Sequence, residues 1–157
     1  MAETIWLSPS EQRAWRAYLQ ARALLEDHLD RQLQRDAGLP HFYYALLVSL
    51  SEEPDRRLRM TELAELLKIT RSRLSHAVSR LEEQGWVSRE GCESDGRVQY
   101  ATLTEAGHTM LTQIAPGHVT AVRAAVFDRL TADQVRALTE ISEAISAGLQ
   151  SDLPWRR

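Results

Sequence analysis

The sequence is poor in cysteine, in long apolar runs and in excess charge of either sign. Its single cysteine, Cys92, cannot form an internal disulfide, which is typical of a reducing compartment. No apolar run approaches the roughly 20 residues of a transmembrane helix, and residues 1–6 lack a signal-peptide pattern. We therefore expect a cytoplasmic protein without a membrane partner. The net charge of −3 argues against bulk electrostatic binding to nucleic acid, but it is compatible with a local basic patch.

Motifs of catalysis and metal binding are also missing. The sequence contains no nucleophile elbow, no glycine-rich phosphate loop and no paired-carboxylate motif, so we expect no enzyme and no cofactor. The histidines show no close ligand spacing, and we therefore expect no metal site. Cys92 has the acidic neighbours Glu93 and Asp95, which disfavour a reactive thiolate. We favour an incidental loop residue over the alternative, a redox switch.

One stretch, Thr70 to Leu81, contains three arginines and no acid. Thr70 can cap the start of a helix, and Gly85 can end it in the left-handed conformation. Four apolar residues recur at i, i+3, i+4 and i+7 and predict a buried stripe: Leu74, Ala77, Val78 and Leu81. The opposite side carries Arg71, Arg73, Ser75, His76, Ser79 and Arg80. A helix with these two sides is suited to lie in a DNA groove.

The segments on either side complete a winged helix-turn-helix pattern. A short helix, capped by Thr61 and reaching Leu67, precedes the basic helix, and residues 68–70 form the turn between them. A very short strand is expected over 58–60. Residues 86–90 and 97–101 alternate like two strands around a glycine-bounded loop. A hairpin directly after a helix-turn-helix is the wing of a winged helix.

The outer segments predict long helices. Ser8 and Pro9 start a helix that ends near Gly38, about 28 residues or roughly 40 Å long, and a partner subunit is one good reason for such a length. A second helix is expected over 41–51, and another from 103 with a kink or break at Pro116. The last helix runs from Thr131 to 149, with an apolar side expected to face inward: Val135, Leu138, Ile141 and Ile145. The predicted fold is mostly α with a small β-hairpin wing.

Three stretches are characteristic in combination. They are Thr61-Glu62-Leu63-Ala64-Glu65-Leu66-Leu67, Leu81-Glu82-Glu83-Gln84-Gly85-Trp86-Val87, and Asp95-Gly96-Arg97 followed by Leu103-Thr104-Glu105-Ala106-Gly107. With the order of the predicted elements, they resemble the MarR (multiple antibiotic resistance regulator) family, whose plan covers nearly the whole chain.

The resemblance implies a transcription factor that binds double-stranded DNA as a homodimer. It implies a discontinuous helical dimerisation lobe (8–38 and 104–150) and a winged helix-turn-helix DNA-binding domain (39–103). It places the wing residue Arg97 in the minor groove and has Asp95 fix the wing. It turns part of the recognition helix toward base edges, namely Arg71, Ser72, Arg73, Ser75 and His76. Many members are repressors that release DNA when an aromatic acid or a phenolic compound binds between the lobes.

The side chains fit these roles chemically. Arginine can donate two parallel hydrogen bonds to guanine, worth about 1–3 kcal/mol of discrimination, and Arg71 and Arg73 are the best candidates. His76 can reach a base or a phosphate, the neighbouring serines suit phosphates, and Arg80 suits the DNA backbone. A twofold dimer predicts a pseudo-palindromic operator with half-sites roughly 34 Å apart.

Two interpretations keep an alternative. An aromatic group lies near the junction of the first two helices: Trp15, Tyr18, His41, Phe42, Tyr43 and Tyr44. Core and dimer packing explain it most simply, and the sharper interpretation is a ligand pocket with His41, Tyr43 and Tyr44 as polar contacts. The alternative to a DNA-binding, ligand-responsive repressor is a winged-helix protein-interaction module that acts on another regulator. Arg97 and the acid-free helix argue against that alternative.

Overall fold

The computed structural model describes residues 4–91 and 98–151. The elements are helices α1 (Pro9–Ala37), α2 (His41–Ser51), α3 (Met60–Leu66), α4 (Arg71–Glu83), α5 (Glu105–Ala125) and α6 (Ala132–Ser151), strands β1 (Arg57–Arg59), β2 (Val87–Gly91) and β3 (Gln99–Leu103), and a 3₁₀ turn (Phe127–Arg129). The predicted fold class, mostly α with a small wing sheet, is confirmed. The chain divides into two compact units, the first ending at His118 and the second beginning at Val119.

Local capping determines where the first two helices begin and end. The Ser8 hydroxyl accepts a hydrogen bond from the Glu11 amide at 3.3 Å, and the Glu11 carboxylate accepts one from the Ser8 amide at 2.7 Å. Gly38, at φ +62°, closes α1 as predicted. The first amide of α2, that of His41, donates to Asp30 Oδ1 at 2.8 Å, so α1 supplies the cap of α2.

The sheet is antiparallel in the order β1-β3-β2. Leu58 pairs with Ala101, and Ala101 pairs with Arg89 on the other side. Strands β2 and β3 begin slightly later than predicted, and β1 begins one residue earlier. Trp86 belongs to the turn that follows α4, because its amide donates to the Leu81 carbonyl at 3.0 Å, and β2 therefore begins at Val87.

The core of the first unit is apolar and draws on helices and strands alike. Its largest fully buried side chains are Leu33, Leu46, Leu47, Leu50, Leu63, Leu74, Val78 and Leu81. At about 25 cal/mol per Å² of apolar surface, each such side chain contributes roughly 1.5–3 kcal/mol. Helix α4 packs its apolar stripe into this core, as the sequence predicts, and leaves its polar side exposed.

Helix α5 corrects one prediction and explains a motif. It runs through Pro116 without a break. A proline removes one helical N–H, but its fixed φ is close to the helical value, so the helix can continue. At the start, Thr104 Oγ1 accepts from the Gly107 amide at 3.0 Å and donates to the Gly85 carbonyl at 2.6 Å. A Cβ at Gly107 would collide with the Trp86 carbonyl oxygen, which is why this turn needs glycine.

Helix α6, in the second unit, begins with a capping box next to the predicted start, Thr131. The Thr131 amide donates to Gln134 Oε1 at 2.9 Å, and the Gln134 amide donates to Thr131 Oγ1 at 3.3 Å. Its apolar side, in contrast, is exposed: Leu138 is 43% exposed, Ile141 59% and Ile145 47%, while Val135 is half-buried. The prediction that these residues face inward is wrong for the single chain, because periodicity shows which side is apolar but not what covers it.

Candidate nucleic-acid interface

Helices α3 and α4 form the predicted helix-turn-helix. Helix α3 begins at Met60 rather than after Thr61, and the Arg59 amide donates to Glu62 Oε2 at 3.3 Å. The turn between the helices passes through Lys68, a non-glycine residue at φ +54°. The Thr70 hydroxyl then accepts from the Arg73 amide at 3.2 Å and caps α4, as predicted.

The two sides of α4 differ as the sequence predicts. Leu74, Ala77, Val78 and Leu81 are buried. At 100° per residue, Ser72 and His76 point most directly away from this stripe, and both are exposed. Arg71 lies on the flank toward β2, and Arg73 lies on the other flank. The part of α4 that points farthest from the core is therefore polar, with arginines on either side of it.

Two of the predicted DNA contacts already have partners within the chain. The Arg73 guanidinium carbon lies 4.9 Å from the centre of the Phe42 ring. Arg80 Nη1 lies 3.1 Å from Glu83 Oε2 on the solvent side of the helix. Exposed contacts of this kind contribute at most about 1 kcal/mol, so either side chain can exchange its partner for DNA at small cost.

The sequence reading missed a polar network between α4 and the wing strand. Arg89 Nη2, in β2, donates to the Ser75 carbonyl at 2.6 Å and to Ser79 Oγ at 2.8 Å. Arg89 Nε lies 3.2 Å from Glu82 Oε2, an ion pair whose angle falls outside hydrogen-bond geometry. The Arg89 amide donates to Glu82 Oε1 at 3.0 Å. Strand alternation could have indicated that Arg89 faces the same side as the core residue Val87, although not which side chains it meets there.

The wing tip lies outside the described residues. Cys92, Asp95 and Arg97 all fall in the segment 92–97, and their predicted roles stay predictions. The described base of the wing has its own contacts. The Arg57 guanidinium carbon lies 3.9 Å from the centre of the Tyr100 ring, and Arg57 Nη1 lies 3.8 Å from Glu90 Oε2.

The structure separates the predicted aromatic group into smaller sets. Trp15 and Tyr18 stack on each other on α1, with ring centres 5.9 Å apart, and both are about half exposed. Tyr44 is buried with its ring 4.4 Å from that of His118, and His41 lies 5.5 Å from the same ring. Tyr43 packs edge-on against Phe42 instead.

A cleft of about 830 Å³ lies between α1, α2 and the turn before α4. Of the six side chains in the predicted aromatic group, His41 and Phe42 line it, while the predicted polar contacts Tyr43 and Tyr44 do not. Its lining is mixed in charge: Arg22, Lys68 and Arg73 are basic, and Glu26, Asp27 and Asp30 are acidic. The cleft thus adjoins α4 through Arg73.

His118, near the end of the first unit, is a buried polar residue that packs beside His41 and Tyr44 of α2. Its Nδ1 lies 3.0 Å from Gln32 Oε1, and Gln32 Nε2 donates to Asp36 at 2.7 Å. Burial lowers the pKa of the His118 imidazole below its ordinary value, and the neighbouring His41 lowers it further. Burial also raises the pKa of the Tyr44 hydroxyl. Within the described ranges, no group of three or more His, Cys, Asp or Glu side chains could ligate a metal ion.

The helix-turn-helix with an antiparallel hairpin directly behind it defines a winged helix-turn-helix protein. Comparison with known proteins then gives the family. The model described as MarR family matches residues 37–98. Sco3205, a MarR family transcriptional regulator from Streptomyces coelicolor whose structure was solved in complex with DNA, is 62% identical to this chain in sequence. The comparison covers 99% of each chain, with a TM-score of 0.90. The chain therefore belongs to the MarR family of transcriptional regulators.

Two further relatives agree. AbsC, a MarR family transcriptional regulator from Streptomyces coelicolor, is 39% identical, covering 95% of this chain and 100% of its own, with a TM-score of 0.88. The transcriptional repressor MprA of Escherichia coli strain K12 is 26% identical over 93 residues, 59% of this chain. The match spans about half (52%) of that repressor's length. Among the helices of residues 4–91 and 98–151, none is both long and apolar enough to cross a membrane.

Proposed function

We propose that the protein is a sequence-specific DNA-binding transcriptional regulator that acts in the cytoplasm as a homodimer. The observation that carries the proposal is the outward side of α4, where Ser72 and His76 are exposed opposite a buried stripe and Arg71 is exposed on the flank. Side chains of these types hydrogen-bond to base edges and phosphates in the major groove. The DNA-bound relative Sco3205, similar over 99% of both chains, supports it.

The exposed apolar side chains support a second copy of this chain as partner. On α1 these are Trp15, Tyr18, Leu19 and Leu24, and on α6 they are Leu138, Ile141, Ile145 and Leu149. Exposed apolar surface of this extent on two helices is costly in water unless another surface covers it. A twofold dimer presents two copies of α4, and we propose a pseudo-palindromic operator with half-sites about 34 Å apart.

We propose further that the regulator is a repressor that a small aromatic or phenolic effector releases from DNA. The 830 Å³ cleft supports this, because its volume suits a small molecule and Arg73 of α4 forms part of its wall. An acidic effector that paired with Lys68 or Arg22 there would alter the surroundings of Arg73.

Selection of bound fragments from random DNA, followed by gel-shift titration, tests the proposal. We expect one pseudo-palindromic sequence to be enriched and one dimer to bind it. Retention of all fragments alike would contradict it. Arg97→Ala tests the wing: binding should weaken, and the slope of log K against log salt should fall by about one counterion. An unchanged slope and affinity would exclude a wing contact at Arg97.

A further inference from the structure

Two side chains join the wing strand to α4 and have no part in the function as proposed so far. Arg89 of β2 contacts three positions of α4, namely Ser75, Ser79 and Glu82. Glu82 also accepts the backbone N–H of Arg89, so the two residues are linked twice. The side chains are only 26% and 32% exposed, respectively. Both are much less exposed than those of the Arg80–Glu83 pair on the same helix, at 69% and 58%.

The network occupies one flank of the helix. Its three positions on α4 follow at i, i+4 and i+7, which places them in one row beside β2. The neighbouring row, led by Leu74 and Val78, is apolar. Apolar contacts are not directional and allow small rotations of a helix about its axis. Hydrogen bonds from a planar guanidinium are directional, so the Arg89 contacts restrict the rotation and the axial position of α4.

We propose that Arg89, with Glu82 as its partner, is a positioning residue for sequence recognition. It fixes the rotation of α4 against β2, and thereby the angle at which Ser72 and His76 meet the bases. A shift of about 1 Å at a side chain is enough to break a base contact, while phosphate contacts through flexible arginines tolerate it. The inference rests on the proposed function, since the rotation of α4 matters to DNA only if α4 reads bases.

Glu82→Gln gives a test in which charge and position predict opposite results. Removing an acid from a DNA-facing helix should strengthen binding to every DNA if only charge matters. If Glu82 positions the helix, specific affinity should fall and the ratio of specific to non-specific affinity should drop about tenfold. Glu83→Gln is the matched control, because it removes the same charge one residue away. The partner of Glu83 is Arg80 of the same helix, so this ion pair does not join α4 to β2. It should raise affinity for all DNA slightly and leave the ratio unchanged.

Arg89→Met removes the guanidinium and keeps an unbranched side chain about as long as the aliphatic part of arginine. The specificity ratio should drop about tenfold or more, with no change in the salt slope, because a positioning residue contacts no phosphate. Arg89→Lys has a single side-chain nitrogen, which can pair with Glu82 but cannot contact Ser75 and Ser79 at the same time, so an intermediate loss is expected. In a double-mutant cycle, His76→Ala should cost less specificity in the Arg89→Met background than in the wild type.

The same variants are measured without DNA by amide hydrogen exchange. Arg89→Met and Glu82→Gln should speed exchange in residues 75–83 relative to α2, and Glu83→Gln should not. The inference is overturned if Glu82→Gln behaves like Glu83→Gln, or if Arg89→Met lowers the salt slope by about one with additive effects at His76. A wild-type protein without sequence preference would instead contradict the proposed function, and the exchange measurement would then show separately whether Arg89 holds α4.

Discussion

Helices α4 and α6 are both amphipathic, but they use their apolar sides differently. In α4 the apolar side lies in the core of the first unit, with Leu74 and Val78 fully buried. In α6, described as part of the second unit, the corresponding side is exposed, with Ile141 at 59%. The first helix therefore obtains its stability from its own unit. The second needs a surface that is not supplied within its own unit.

The difference assigns different partners to the two helices. Since α4 has its apolar side satisfied, its polar side is available for a ligand, and the types of its side chains favour DNA. Since α6 has an unsatisfied apolar side, that side itself is the interaction surface, and a second copy is the partner we propose. Substitutions in the two helices should therefore change different measured quantities.

The largest effect is expected at the apolar side of α6. Ile141→Asp would bury a charge in the proposed dimer interface, at a cost of about 2–3 kcal/mol per copy and twice that per dimer. Sedimentation and light scattering should show dissociation, and affinity for a palindromic operator should fall with it. Glu143→Ala, on the opposite side of α6, serves as the control. A dimer that persists in Ile141→Asp would contradict the assignment of the apolar side of α6 to the dimer interface.

Leu74→Ala tests the other helix. Removing a fully buried leucine leaves a cavity and should lower the free energy of unfolding by about 3 kcal/mol. Urea unfolding of the wild type and variant at several protein concentrations gives this value. The loss should be the same at every concentration, because the residue serves its own unit. A loss that grows on dilution would mean that α4 also depends on association.

Arg73→Ala should have a smaller effect, and only on DNA. If Arg73 reads a base, the variant should lose about 1–2 kcal/mol of discrimination between operator and non-specific DNA while dimerisation stays unchanged. Arg80→Ala is the matched control, since loss of a contact to the DNA backbone weakens binding to all DNA sequences equally. Equal losses for both kinds of DNA in Arg73→Ala would leave Arg73 as a phosphate contact or as a wall of the cleft beside Phe42.

Local chemistry made much of this fold predictable. Ser8, Thr70 and Thr131 cap helices that begin where the sequence indicates, because a cap involves residues only three positions apart. The buried stripe of α4 follows from periodicity within two turns. Pro116 shows the limit of a local rule, since the cost of one missing N–H did not decide whether the helix continued.

Features that join distant segments were not predictable in the same way. Arg89 and Ser75 lie 14 residues apart, and no spacing in the sequence indicates that they meet. The grouping of Trp15 with Tyr43 and Tyr44 assumed that aromatic side chains of the first two helices meet, whereas the structure places them against different partners. For α6 the sequence showed the apolar side, and the identity of its covering surface is a question of assembly.

The smallest effect we predict is a pH dependence that belongs to the first unit alone. Burial holds the pKa of folded His118 below the unfolded value of about 6.5, so below pH 6.5 the unfolded state binds the proton more strongly. Stability should therefore fall as the pH drops from about 6.5 toward the folded pKa and stay constant above it. His118→Gln, measured by urea unfolding at pH 7.5 and 5.5, should reduce this difference, with His108→Gln as control. His118 contacts Gln32 and Tyr44 of the first unit. The substitution should therefore change the free energy of unfolding, and it should leave association through the exposed side of α6 unchanged. An equal pH dependence in the variant would assign the effect to another group.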